Sequence, residues 1–321
     1  MVERHGGQKK KQLPVRTRHY SVSMSNGEYL QVYTPSSKDI KTYNTFPNPV
    51  GTKGDRSFYR ETSLPADLRG VYFSYTDSEG NAKIIHSILN DPGLLRYASD
   101  GLMPIVWWGS IKQISDNSLV AGVYPTYYLN NQGGITEGGV SFYSSADYGG
   151  TWNLLGKIPF VKDGIADVKG NSSYDEPAFE VLRDGTFICV MRSGSTSPMY
   201  ISSSLDKGKS WTKPQPFTPN GVKPQLLALK NNLLVLTSGR PGVQLRFCLD
   251  GLGEEWTEPI DMVPFMNGDG SYLRDVSCGY TSLIELGRNS FLLVWSDFTT
   301  RDSNGNIRKS IWCRKVKIKR Y

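Results

Sequence analysis

The sequence predicts an all-β fold, a six-bladed β-propeller, and three observations predict it. One strand–turn–strand pattern recurs six times in 321 residues. No stretch holds the 3.6-residue periodicity of an amphipathic helix for any useful length. And one turn, ending in Trp, is written twice in nearly the same letters, as "SSADYGGTW" and "SSSLDKGKSW".

The six copies are "SVSMSNGEYLQVYT" (21–34), "SLPADLRGVYFSYT" (63–76), "SIKQISDNSLVAGVY" (110–124), "AFEVLRDGTFICVMR" (178–192), "QLLALKNNLLVLTSGR" (225–240) and "TSLIELGRNSFLLVWSD" (281–297). Each reads as a β-hairpin, two β-rich runs about a short turn rich in Asp, Asn or Gly. The second run is apolar on both faces in "FICVM", "LLVLT" and "FLLVW", as a strand covered on both sides requires. A repeat of about 50 residues suits a blade of four strands, and a sandwich has no reason to repeat one hairpin six times. The run "IRKSIWCRKVKIKRY" adds a strand after the last hairpin, and an N-terminal strand would complete that blade.

The repeated turn has a local logic. Asp147 and Asp206 can accept bonds from backbone N–H groups, Gly149 and Gly208 supply positive φ, and Trp152 and Trp211 can fill the gap between sheets. A stretched third copy is "FCLDGLGEEW", with Asp250, Gly253 and Trp256. These are the marks of an Asp-box, a structural staple rather than a source of catalytic aspartates.

Composition bounds the rest. Residues 14–321 read as one domain with no linker or composition shift, preceded by a flexible basic segment, 1–13. The net charge of +7 and pI near 9.1 gather at the two ends, in "QKKKQ" and "CRKVKIKRY". No nucleic-acid module or long basic face accompanies them, so nucleic acid is not an expected partner; a small anionic ligand is. The four cysteines form no CxxC pair, and three lie in apolar runs, which predicts buried free thiols. The three histidines are scattered, which argues against a metal site. No apolar segment has membrane-spanning length. No secretory core precedes the domain, and the compartment stays open between cytoplasm and export. A monomer is expected.

Asp-boxes on a six-bladed propeller resemble the sialidase (neuraminidase) superfamily, in particular bacterial exo-α-sialidases, over nearly the whole chain from about residue 14. The resemblance implies three arginines on a sugar carboxylate, a Tyr nucleophile partnered by a Glu, and an Asp acid/base. "DEPAFEVLRDGTFICVMRSG" looks like the family segment that would make Glu176 the partner of the nucleophile and Arg192 one clamp. "LLVLTSGRPGVQLRF" puts Arg240 at the equivalent end of the next hairpin, and "DVSCGYTSLIELGRNSF" offers Tyr280 as nucleophile. A free phenol is a poor nucleophile and needs a nearby base, which Glu176 would supply. Guanidinium groups bind carboxylates through paired charge-assisted bonds, so several of them select an anionic sugar.

The first blade departs from the family, which writes Arg, an apolar residue and Pro. Here "VRTRHYSVSMSNG" has no such Pro; Arg18 is at about the right distance, with Arg16 as alternative. Asp39 in "YTPSSKDIKTYN" stands where the family's acid/base lies, with Asp77 as rival, and Glu137 in "GGITEGGV" could line a substrate pocket. Together these imply a retaining exo-glycosidase releasing terminal sialic acid or a related nonulosonic acid, with no metal or organic cofactor. Two alternatives stay open. One is a superfamily enzyme acting on another sugar, such as a rhamnoside, by hydrolysis or elimination; the other is a carbohydrate- or protein-binding propeller without catalysis.

Overall fold

The computed structural model describes residues 20–37, 40, 43, 45–115, 118–165, 171–194, 197–240, 242–264, 279–298 and 300–319. The chain opens with β1 (Tyr20–Ser23), β2 (Tyr29–Tyr33), β3 (Gly51–Lys53) and β4 (Arg56–Arg60). Two 3₁₀ turns, Glu61–Ser63 and Ala66–Leu68, lead to β5 (Val71–Thr76), β6 (Ala82–Asn90), β7 (Leu94–Ser99) and β8 (Gly101–Leu102). Next come β9 (Val106–Ser115), β10 (Ser118–Tyr128), β11 (Gly139–Ser145) and β12 (Thr151–Ile158). The second half holds β13 (Asp175–Val181), β14 (Phe187–Arg192), β15 (Met199–Ser204) and β16 (Gln215–Thr218), followed by β17 (Val222–Ala228), β18 (Leu234–Gly239), β19 (Val243–Cys248) and β20 (Ile260–Val263). It ends with β21 (Thr281–Gly287), β22 (Ser290–Asp297) and β23 (Ser310–Lys317). The fold is all-β: among the described residues there is no α-helix, and so none long and apolar enough to cross a membrane.

Strands β13 to β16 and β17 to β20 form consecutive antiparallel sheets of four, and β21 to β23 one of three. The first half is a 12-stranded array in which β1-β2-β5-β6 and β9-β10-β11-β12 meet through a parallel pairing of β6 with β12. The leading strands β1, β9, β13, β17 and β21 lie against one another in that order.

Three of the six predicted hairpins therefore fall within one array, and the first two are joined edge to edge. Residues 63–70 of the second copy carry Pro65 and turn as 3₁₀ rather than extend, with Leu64 and Leu68 buried. Strand β5 then takes β2, from the first copy, as its neighbour, with Phe73 opposite Val32. A further sheet of β3, β4, β7 and β8, built from residues outside all six copies, joins β10 where Tyr127 faces Leu95.

The repeated turn behaves as its letters require. In the first copy Asp147 accepts from Ser145 Oγ and the Thr151 N–H, both at 2.8 Å, and Gly149 donates to Ser145 Oγ at 2.7 Å. Asp206 repeats this with Ser204 and Ser210, again at 2.8 Å. In the stretched copy Cys248 takes the serine's place: its thiol donates to Asp250 at 2.7 Å and its sulfur accepts from the Gly253 N–H at 3.1 Å. Each Trp reaches back to the preceding sheet. Trp152 stacks on Phe73 of β5 (5.4 Å between centroids), Trp211 on Phe142 of β11 (4.3 Å), and Trp256 meets Phe217 of β16 edge-on (5.2 Å). Burying a large aromatic this way stabilises by roughly 2–3 kcal/mol.

Carboxylates add polar ties between neighbouring leading strands. Glu180 of β13 accepts from Lys112 of β9 at 2.7 Å and from the Ala228 N–H of β17 at 3.2 Å. Glu285 of β21 accepts from the Lys230 N–H at 3.0 Å. Cys189, Cys248 and Cys313 are free; the first two are buried, but Cys313 is exposed on β23, against expectation, because no fourth strand covers that edge among the described residues. Cys278 and segment 1–13 lie outside the described residues.

Candidate functional site

Hairpin geometry decides which side chains meet. Glu176 is the second residue of β13 and Arg192 the last of β14, so the hairpin brings them to one end of the sheet. Arg192 Nη1 lies 3.1 Å from Glu176 Oε2. Tyr280 directly precedes β21 and is pinned to β22 by Ser296, whose Oγ accepts the Tyr280 N–H at 3.0 Å. Its phenol donates to Glu176 Oε1. Arg240 directly follows β18, and its charge, like that of Arg192, acts on the same phenol. Burial, and then the Glu176 charge, hold the Tyr280 hydroxyl well above the ordinary tyrosine range, while the two arginines pull it down.

Glu176 sits in strained backbone. Its φ is +51°, left-handed, although it precedes Pro177, where extended backbone is the rule. The strand pairing slips between Asp175 and Ala178 at the same place. The next leading strand repeats the device: Lys223 has φ +41°, precedes Pro224, and lies at a slip between Val222 and Gln225. The Lys223 N–H donates to Glu176 Oε2 at 2.8 Å, and its ammonium lies 4.9 Å from the centre of the Tyr280 ring. Such outliers cost on the order of 1–3 kcal/mol each and cluster at working sites. The shared Glu-Pro and Lys-Pro spelling was the available signal for Lys223, and sequence reasoning passed over it.

Glu176, Arg192 and Tyr280 line a cavity of about 330 Å³, and Arg240 is not among its lining residues. Asp175, Ser173, Arg56, Tyr97, Tyr127 and Asp100 line it too, none of them anticipated from sequence. Asp175 accepts from Ser173 at 3.2 Å. Desolvation raises its carboxyl to about 6, against the pull of Arg192 and with a further push from Glu176. Arg56 gives one Nη–H to the Tyr127 hydroxyl at 3.0 Å and lies 5.0 Å over the Tyr97 ring.

The rim of the cavity is held from beneath by a buried ion pair. Arg96 Nη1 lies 3.2 Å from Glu61 Oε2, and Arg96 Nη2 donates to the carbonyls of Pro35 and Met103, both at 2.8 Å. Those carbonyls flank the lining residues Ser36, Ser37, Met103 and Pro104, and Ser37 bridges Leu102.

Other expected residues fall elsewhere. Arg18, Arg16 and Asp39 lie outside the described residues. Asp77 belongs to the β5–β6 turn: it accepts from the Asn81 side chain at 3.0 Å and from the Asn81 and Glu79 N–H groups at 2.8 and 2.9 Å, and these bonds, Asn81's first, lower its pKa. An acid so held is a turn residue. Glu137 does not line the cavity. It is paired with Lys53 at 2.5 Å and Lys162 at 2.7 Å, and although desolvation opposes it, the bonds from the two lysines lower its pKa.

The sequence matches no protein-family model and no curated protein. Solved structures do resemble it. A protein of unknown function from Dyadobacter fermentans DSM 18053 aligns over 94% of this chain and 76% of its own, at 15% identity and TM-score 0.63. The structure named Hadza microbial sialidase Hz136 aligns over 91% of this chain at 14% identity and TM-score 0.52, and this chain spans 50% of it. At these identities the likeness concerns the fold alone, an all-β arrangement of the propeller type.

Proposed function

We propose that this chain is a retaining exo-glycosidase that releases a terminal sialic acid or related nonulosonic acid. The observation that carries the reading is the Tyr280–Glu176 hydrogen bond at the wall of a cavity that Arg192 also lines, with Arg240 close enough to act on the phenol. The reading takes the chain as a six-bladed propeller whose repeated turns are Asp-boxes, with Trp152, Trp211 and Trp256 stapling successive blades.

In the proposed reaction Tyr280 attacks the anomeric carbon as its proton passes to Glu176, and the leaving oxygen takes a proton from an acid. Water, deprotonated by that acid's conjugate base, then cleaves the glycosyl–tyrosine bond, and Glu176 returns the proton to the phenol. A neutral phenol suits a substrate with a carboxylate on its reacting carbon better than an anionic nucleophile does. Arg192 and Arg240 would hold that carboxylate with Arg18 as third clamp and Arg16 as its alternative. The acid/base role goes to Asp39; supporting this, Ser37, two residues earlier, lines the cavity. No step calls for a metal or organic cofactor.

A second reading, hydrolysis or elimination on a different sugar, gains support from the carboxyl groups in the lining. Asp100, Asp175 and Glu176 line the cavity together with Arg56 and Arg192, so the wall is not simply a cationic clamp. Release of 4-methylumbelliferone from its α-sialoside, beside a panel of neutral glycosides, decides between them. Turnover of the sialoside alone supports the first reading, and turnover of a neutral glycoside alone supports the second. Silence on every glycoside would leave a binding propeller.

A further inference from the structure

Two opposite charges face the cavity without pairing. Arg56 belongs to β4 and Asp175 opens β13, so they come from distant parts of the chain and converge only here. Arg192, opposite Asp175 in the β13–β14 pairing, acts on that carboxyl more strongly than Arg56 does, and no direct ion pair joins Arg56 to Asp175 among the described residues. Arg56 is fixed by stacking on Tyr97 and by its bond to Tyr127, which leaves most of its N–H donors unspent. Asp175 is fixed at one oxygen by Ser173.

Ordinary strand geometry would send Asp175 and Glu176 to opposite faces of β13. The left-handed backbone at Glu176 and the slip in pairing beside it bring both carboxyls to the cavity. That arrangement carries local backbone strain and a partly desolvated carboxyl.

We propose that Arg56 and Asp175 form a hydroxyl-binding subsite, in which a sugar hydroxyl seats between them, accepting from the guanidinium and donating to the carboxylate. The ligand's chemistry follows from the pair. A ligand carboxylate is repelled by Asp175, and a ligand ammonium by Arg56. A hydroxyl both accepts and donates, and so satisfies the two at once. Hydrogen bonds to charged partners of this kind separate a substrate from its deoxy analogue, because the missing hydroxyl leaves both groups unpaired. The subsite rests on the glycosidase reading for its ligand class, a sugar.

The test is binding, which does not need turnover. N-acetylneuraminic acid, L-rhamnose, L-arabinose and D-galactose are titrated against the full chain by ligand-observed NMR, followed by the ring-deoxy analogues of whichever sugar binds. Asp175→Asn and Arg56→Gln are expected to weaken that sugar by about 10- to 100-fold. One deoxy analogue should lose the same factor against the wild-type chain and lose nothing further against Asp175→Asn. The subsite is overturned if every analogue is penalised equally by the wild type and Asp175→Asn, or if no sugar of the panel binds. Binding through Asp175 without cleavage of any glycoside would sink the glycosidase reading and leave the subsite standing. Cleavage untouched by Asp175→Asn does the reverse.

Discussion

The phenol of Tyr280 donates to Oε1 of Glu176 across 104 residues of chain. The other oxygen of that carboxylate accepts from Arg192 at 3.1 Å and from the Lys223 N–H at 2.8 Å. Three leading strands, β13, β17 and β21, therefore converge on one carboxylate, as residues of the strands or beside them. Its base-side oxygen faces the phenol, and its second oxygen is anchored by charge and backbone. An acceptor held in this way can take a proton without moving.

Tyr280→Phe tests whether that proton transfer is chemistry or packing. The ring keeps its volume, so the urea midpoint should move little, while glycoside turnover falls by on the order of 10³-fold. Full activity in the variant would remove Tyr280 from the mechanism, whatever the sugar.

Glu176→Gln keeps the shape but removes the base, turns one of the two accepting oxygens into a donor, and leaves Arg192 without its carboxylate. Turnover should drop by about 10²- to 10⁴-fold, with a stability loss of about 1–3 kcal/mol. Because the two groups act as a unit, Tyr280→Phe combined with Glu176→Gln should cost scarcely more activity than the worse single change. Multiplying losses would mean that they act separately.

The sequence made the hairpin-end residues legible for a simple reason. An antiparallel hairpin returns the chain to its starting level, so Glu176 and Arg192 had to meet once β13 and β14 were recognised. The three Trp-ended turns were legible because the Asp, Gly and small hydroxyl spacing is a local bonding pattern, and even Cys248 fits it. The blade count was less so. Pro65 turned one apparent strand into 3₁₀ turns, and β5 paired with a strand from another repeat. Asp175 and Arg56 were invisible for a different reason. Period-two alternation places Asp175 away from Glu176, and only the left-handed φ at Glu176 reverses that.

Asp175 carries a pH signature in stability. Its carboxyl rises from 3.8 to about 6 on folding, so the folded chain binds the proton more tightly than the unfolded chain. The sign follows: folding loses stability as pH climbs from about 4 through 6, up to a limit of about 2–3 kcal/mol. Asp175→Asn should therefore raise the urea midpoint at pH 8, with a much smaller gain at pH 4. An equal gain at both pH values would show that Asp175 is not the group desolvation perturbs.

Cys248 separates the repeated turn from the chemistry. It stands where Ser145 and Ser204 stand in the other copies, and its sulfur both donates to Asp250 and accepts from the Gly253 N–H. Cys248→Ser preserves both roles and should stay within about 1 kcal/mol of the parent chain. Cys248→Ala strands the Gly253 N–H in a half-buried turn and should lose about 1 kcal/mol. None of Cys248, Asp250 and Gly253 lines the cavity, so kcat and KM on any glycoside should be the same for both variants. Equal stability of the two variants would show that the sulfur only fills space, and a change in KM would tie this turn to the cavity from which its position separates it.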